Sequence, residues 1–98
     1  MEPEFADDNL QRLESDPAFD GGFGRDVVKA FRKRMQVIRA ARDERDFYAM
    51  KSLHFEQLQG DRLGQHSMRL NKQWRLILKL VKRSSDKVVL VIEITDYH

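Results

Sequence analysis

Val27, Val28, Phe31, Met35, Ile38 and Ala41 return mostly at steps of three and four residues. That spacing lays one apolar stripe along a helix of about 3.6 residues per turn. The stripe stops at Ala41, because Arg42, Asp43, Glu44 and Arg45 follow as an unbroken charged run. The bases of this segment fall mainly between the apolar positions, on its wet side, so its aromatic and methionine side chains read as core. Ahead of it, Leu10 and Leu13 predict a shorter helix with Asp7 or Asp8 as N-cap, ended by Ser15-Asp16-Pro17. Asp20-Gly21-Gly22 and Gly24 make a flexible connection. Residues 2–6 suit a short edge strand, since Pro3 cannot donate to a central ladder. Residues 44–50 add a short helical turn.

Beyond this point the period shortens towards two. Leu53, Phe55 and Leu58 lead into Gly60-Asp61-Arg62-Leu63-Gly64, a glycine-bracketed turn without the spacing of a phosphate-binding P-loop. Residues 65–70 pair naturally with 73–81 across a turn near Asn71-Lys72. Residues 87–95 are dense in β-branched side chains and follow the polar Lys82–Asp86 turn. These strands are nearly continuous in apolar residues, which predicts at least partial cover on both faces. Helices first and a strand meander last give an α+β fold, N-terminal helices packed against a small, mainly antiparallel sheet. Ninety-eight residues allow one modest core, so the expected unit is a single domain over 1–98.

Composition narrows the chemistry. The chain has no cysteine, which removes a disulfide framework, a thiolate metal site and a cysteine nucleophile. No apolar run approaches the ~20 residues that span a bilayer, and Glu2, Glu4, Asp7 and Asp8 oppose a signal peptide's basic start. A cytoplasmic protein without a membrane partner is expected. The net charge is only +2, but residues 1–20 hold seven acids and one base, whereas residues 25–45 hold eight bases and three acids. Such asymmetry favours a polyanionic partner on one surface, unless it marks only a solvated helix face.

His54, His66 and His98 show no metal-binding spacing, and the acids are scattered. Neither a metal nor another cofactor is expected. Ser67 lacks any nucleophile-elbow motif. The distinctive segments are Gly60-Asp61-Arg62, His66-Ser67-Met68-Arg69-Leu70-Asn71-Lys72-Gln73-Trp74-Arg75, and the terminal Asp96-Tyr97-His98. In order and spacing they resemble the HigB branch of the RelE/ParE toxin superfamily, from bacterial type II toxin–antitoxin systems. The resemblance runs over nearly the whole chain. It implies a compact toxin that cleaves messenger RNA in the A site of the small ribosomal subunit. It also implies neutralisation by a helix-turn-helix antitoxin, with operator DNA met only through the antitoxin complex. Arg69, Asn71 and Arg75 fall on the family's functional hairpin positions, and Asp96, Tyr97 and His98 on its C-terminal ones. Two positions depart from some members, which carry a histidine and a lysine where this chain has Glu56 and Gln59; His54 is a nearby substitute.

The residue types suit that reaction. Cleaving RNA with its own 2′-hydroxyl needs a proton acceptor, stabilisation of the phosphorane's charge and a proton donor to the leaving 5′-oxygen. Arginine stays charged and binds phosphate as a bidentate fork, which assigns the middle task to Arg75 with Arg69 as partner. His98 titrates near neutrality and, beside Asp96 and the terminal carboxylate, suits a general acid. Tyr97 can stack on a splayed base or move a proton, and Asn71 can orient the scissile nucleotide. Arg32 and Lys33 on the basic helix, with Arg62 and Lys72 in the turns, are the candidate contacts to ribosomal RNA. Plainer readings stand beside these: a frayed end for His98, core closure for Tyr97, a turn residue at Asn71, surface charge at Arg69 and Arg75. His66 and Trp74 read as structural. The alternative functions are a non-enzymatic, ParE-like inhibitor of DNA gyrase on the same fold, and a binding module without catalysis.

Overall fold

The two periodicities resolve into two layers. In the computed structural model, which describes residues 1–96, the strands are β1 (Glu2–Phe5), β2 (Glu56–Gln57), β3 (His66–Arg69), β4 (Trp74–Arg83) and β5 (Asp86–Asp96). They form one five-stranded sheet in the order β1-β5-β4-β3-β2. β1 runs parallel to β5 and every other neighbouring pair is antiparallel. The helices are α1 (Asp8–Ser15), α2 (Arg25–Ala40) and α3 (Arg45–Ala49). This is the expected α+β arrangement. β2 is an addition: its two residues read in sequence only as a lead-in to the glycine-bracketed turn.

Local signals explain most of the boundaries. Asp7 is the N-cap of α1, its carboxylate accepting from the Asn9 N–H at 2.6 Å. β1 sits on the sheet edge, where the missing N–H of Pro3 is tolerated. Along α2 the apolar stripe is buried as a unit, with Phe31, Met35 and Ile38 all fully covered. The hairpin between β4 and β5 turns through Ser84 and Ser85, and Ser84 takes a left-handed φ of 55°, as tight hairpin turns require.

One face of the sheet joins the helices. Met68, Leu76, Leu78, Val89, Val91 and Ile94 share a core cluster with Leu13, Val27, Phe31, Met35, Ile38 and Phe47. Strict alternation would carry part of β5 out of this core, but the register shifts between Ile77 and Leu78. Ile92 is the extra residue, since Ile77 pairs with Glu93 and Leu78 with Val91. The bulge lets Leu76, Leu78, Val91 and Ile94 all stay inside. On the opposite face Ile77 is buried while Lys79 is exposed, so that side is covered only in part.

The stripe's centre tests this packing. Phe31→Ala should cost about 3–5 kcal/mol, read as a lower urea midpoint at an unchanged m-value.

Candidate active site

β3 and β4 pair in a register that sets Arg69 directly opposite Arg75, and Arg75 opposite Thr95 of β5. Alternation puts these side chains on the partly covered face, with Ser67, Ile77 and Glu93. Like charges facing one another across an antiparallel pair are destabilising, so each guanidinium needs a compensating neighbour. Arg75, whose side chain is only 11% exposed, forms an ion pair with Glu56 of β2. Its Nη1 also reaches the His54 carbonyl at 3.5 Å. Arg69 donates through Nε to the Asn71 carbonyl at 3.2 Å and places Nη1 3.3 Å from Nε2 of His54. Arginine only donates, so that last contact is a hydrogen bond in the tautomer with the proton on Nδ1 and a lone pair on Nε2. His54 holds this position in the left-handed region, at φ 47° and ψ 46°, just after a 3-10 turn over Lys51–Leu53. Side chains other than glycine seldom sit there, and those that do gather at functional sites.

His54, Arg69, Asn71, Lys72 and Arg75 line one cleft of about 160 Å³. The β3–β4 turn forms one side of it. Oδ1 of Asn71 accepts from the N–H groups of Gln73 and Trp74 at 2.8 and 2.7 Å, and its Nδ2 donates to Asp26 of α2 at 2.8 Å. Asn71 therefore builds the turn and ties it to the start of α2. Eight residues along that helix, Arg34 donates Nε to the carbonyl of Arg69 at 2.9 Å. Burial holds the Arg34 guanidinium below the usual arginine value.

The remaining sequence candidates lie as follows. Asp96 is opposite Trp74 at the end of β5 and accepts from Nε2 of Gln73 at 2.9 Å, close behind the β3–β4 turn. Tyr97 and His98 lie outside the described residues. Arg62 is paired with Glu93 and donates to Oε1 of Gln65 at 3.1 Å. Arg32 is placed away from the cleft, donating to the carbonyls of Leu13, Asp16 and Phe19 at 3.0–3.1 Å. It clasps the end of α1. Lys33 is exposed on α2 seven residues beyond Asp26, nearly the same azimuth on a helix. Sequence reasoning missed Glu56, Arg34 and Asp26 as partners of the cleft. Arg34 stands among equivalent-looking bases, and Glu56 meets Arg75 only through tertiary pairing. Among the described residues, no three His, Asp or Glu side chains group to hold a metal ion.

Comparison with solved structures places the fold. The chain resembles a YoeB/ParE toxin from Agrobacterium tumefaciens with a TM-score of 0.58 and 14% identity, covering 100% of both chains. It resembles YafQ from E. coli with a TM-score of 0.61 and 15% identity, covering 97% of this chain and 91% of that one. The architecture is that of RelE-like toxins. The sequence model of the HigB-like toxins, described as RelE-like toxin of type II toxin-antitoxin system HigB, matches residues 3–98, and the chain belongs to that family. No curated protein matches it in sequence. As a type II toxin it has an antitoxin for a partner. Among the described residues no helix is long and apolar enough to cross a membrane.

Behind the cleft, His66 is 8% exposed and stacks on Phe55, with ring centroids 4.9 Å apart and planes 6° from parallel. Phe55 lies between His54 and Glu56 in the chain, so the stack supports both. Burial holds the His66 pKa below its ordinary value, and Glu44 offsets this only in part. A histidine with a depressed folded pKa binds more protons when unfolded, so its neutral form stabilises the fold above the unfolded pKa of about 6.5. Stability should fall as the pH drops through that value. His66→Phe should remove this part of the decline, measured as thermal midpoint against pH between about 5 and 8.

Proposed function

We propose that the chain is a ribosome-dependent, metal-independent endoribonuclease that cuts messenger RNA in the ribosomal A site and so arrests translation. One observation carries this reading: two arginines face each other across β3 and β4 in a cleft with His54 and Lys72. Such crowding of positive charge is unfavourable alone and favourable once an anion sits between the groups. A phosphodiester is that anion, and membership of the HigB-like toxin family supports RNA as its source.

In the reaction, the 2′-oxygen forms a bond to phosphorus as the bond from phosphorus to the 5′-oxygen breaks. A 2′,3′-cyclic phosphate and a free 5′-hydroxyl result. Arg75 and Arg69 hold the charge of the phosphorane. Nε2 of His54 accepts from Arg69 in the free protein and takes the 2′-hydroxyl proton once Arg69 turns to the phosphate. Glu56 fixes the Arg75 fork, and Asn71 positions the turn that carries Lys72. Tyr97 or His98 supplies the proton to the leaving 5′-oxygen, with Asp96 orienting that end. Lys33, exposed on α2, extends the cationic surface towards ribosomal RNA. A helix-turn-helix antitoxin would neutralise the toxin and bring it to operator DNA. The site of action is the cytoplasm.

Mapping 5′ ends in a translation reaction tests the assignment. The wild type should produce position-specific cuts, and Arg75→Ala should lower their rate by about 10²–10³-fold. Cutting should also fall steeply with salt, since docking is to polyanions. Equal cutting by wild type and Arg75→Ala would remove the mechanism. Intact messages with broken DNA would support gyrase inhibition instead.

A further inference from the structure

Beside the cationic cleft lies a second and larger recess of about 480 Å³, whose lining includes Glu56, Leu58, Gln59, Arg62, Ile77, Thr95 and Asp96. It is contiguous with the cleft through one ion pair: Glu56 borders the recess, Arg75 borders the cleft, and the two are bonded. Their chemistry differs sharply. The cleft is lined by two arginines, a lysine, a histidine and an asparagine. In the recess the one base, Arg62, is already neutralised by Glu93, and Glu56 by Arg75. Asp96 adds a carboxylate that accepts from Nε2 of Gln73, and the floor is apolar at Ile77, which lies outside the helix-side core cluster. Leu58 adds an apolar wall, and the Thr95 hydroxyl and Gln59 amide add polar groups. Thr95 is the direct cross-strand neighbour of Arg75, so the two side chains leave the same face of the sheet from adjacent strands.

A recess with the Glu56 and Asp96 carboxylates on its lining and its Arg62 held by Glu93 does not suit a phosphate. It suits a flat neutral heterocycle whose faces pack on aliphatic side chains and whose edge makes hydrogen bonds. Its volume falls within the several hundred Å³ usual for small-molecule sites. Single-stranded RNA is recognised by splaying a base out of its stack and reading its edge. We propose that this recess takes one nucleobase of the RNA next to the scissile phosphate. Ile77 and Leu58 pack on its face, while Thr95 and Gln59 read its edge and set the sequence preference of cutting. The inference rests on the nuclease reading for its substrate, but its structural content is testable without cleavage.

Methyl NMR on protein labelled at isoleucine, leucine and threonine supplies that test, with adenosine 3′-monophosphate and uridine 3′-monophosphate as probes and ribose 5-phosphate as the baseless control. A base seated in the recess should move the Ile77 and Leu58 methyl signals upfield through its ring current, whereas ribose 5-phosphate should not. Leu58→Trp, which fills the recess, should abolish the Ile77 response. In the 5′-end mapping assay, Thr95→Val should change the ratio of cutting between message sites by about fivefold, the value of one hydrogen bond. Methyl signals that ignore both nucleotides, or an unchanged cutting profile in Thr95→Val, would overturn the recess while leaving the nuclease reading intact. Nucleotide-induced shifts from a protein that cuts no message would uphold the recess and remove the nuclease reading.

Discussion

Two like charges held face to face set the terms for everything around them. The β3–β4 register leaves no freedom here: Arg69 opposes Arg75 because their strands pair residue by residue from His66 opposite Leu78 onwards. A slip of one residue in β3 would send Arg69 to the core side and Met68 out of it. The hydrophobic pattern that fixes the core therefore also fixes the charge crowding. Glu56 and His54 answer that crowding with an ion pair and a hydrogen bond. Both come from the segment Lys51–Gln57, whose placement depends on the short β2 pairing and on burial of Leu53 and Phe55.

Helix α2 does more than cover the sheet. Its buried stripe anchors it on the core, and two polar residues turn that anchorage into control of the site. Asp26 holds the side chain of Asn71, and Arg34 holds the backbone carbonyl of Arg69. The β3–β4 turn is thereby tied to a packed element at two points. A cleft on a free hairpin would lose its geometry to loop motion; here the turn takes its rigidity from the core.

At Glu56 this chain departs from family members that carry a histidine, and the structure gives that departure a physical meaning. A carboxylate next to a largely buried guanidinium fixes it and lowers the positive charge of the empty site. His54, two residues earlier, brings an imidazole beside Arg69 from a left-handed backbone position. The Glu56–Arg75 pair stands between a cationic cleft and a recess floored by Ile77.

Residue pattern alone determined the architecture, because helix and strand signals here are local: the α2 stripe, the Asp7 cap, the β-branched run of β5 and the edge-strand proline are all legible in order. The order of charged and polar residues from Arg69 to Arg75 likewise singled out the hairpin as the candidate site. Tertiary structure alone decided which of many charges act together. Arg32 and Arg34 are two residues apart in one basic run, yet one clasps the end of α1 and the other reaches the back of the site. Asn71 turned out to be both turn and cleft, because its amide meets Asp26 forty-five residues away. β2, the bulge at Ile92 and the Glu56–Arg75 pair arise from contacts between distant segments. Local sequence carries the preference of each segment for its own shape; which side chains meet across segments depends on the register and packing that only the folded chain supplies.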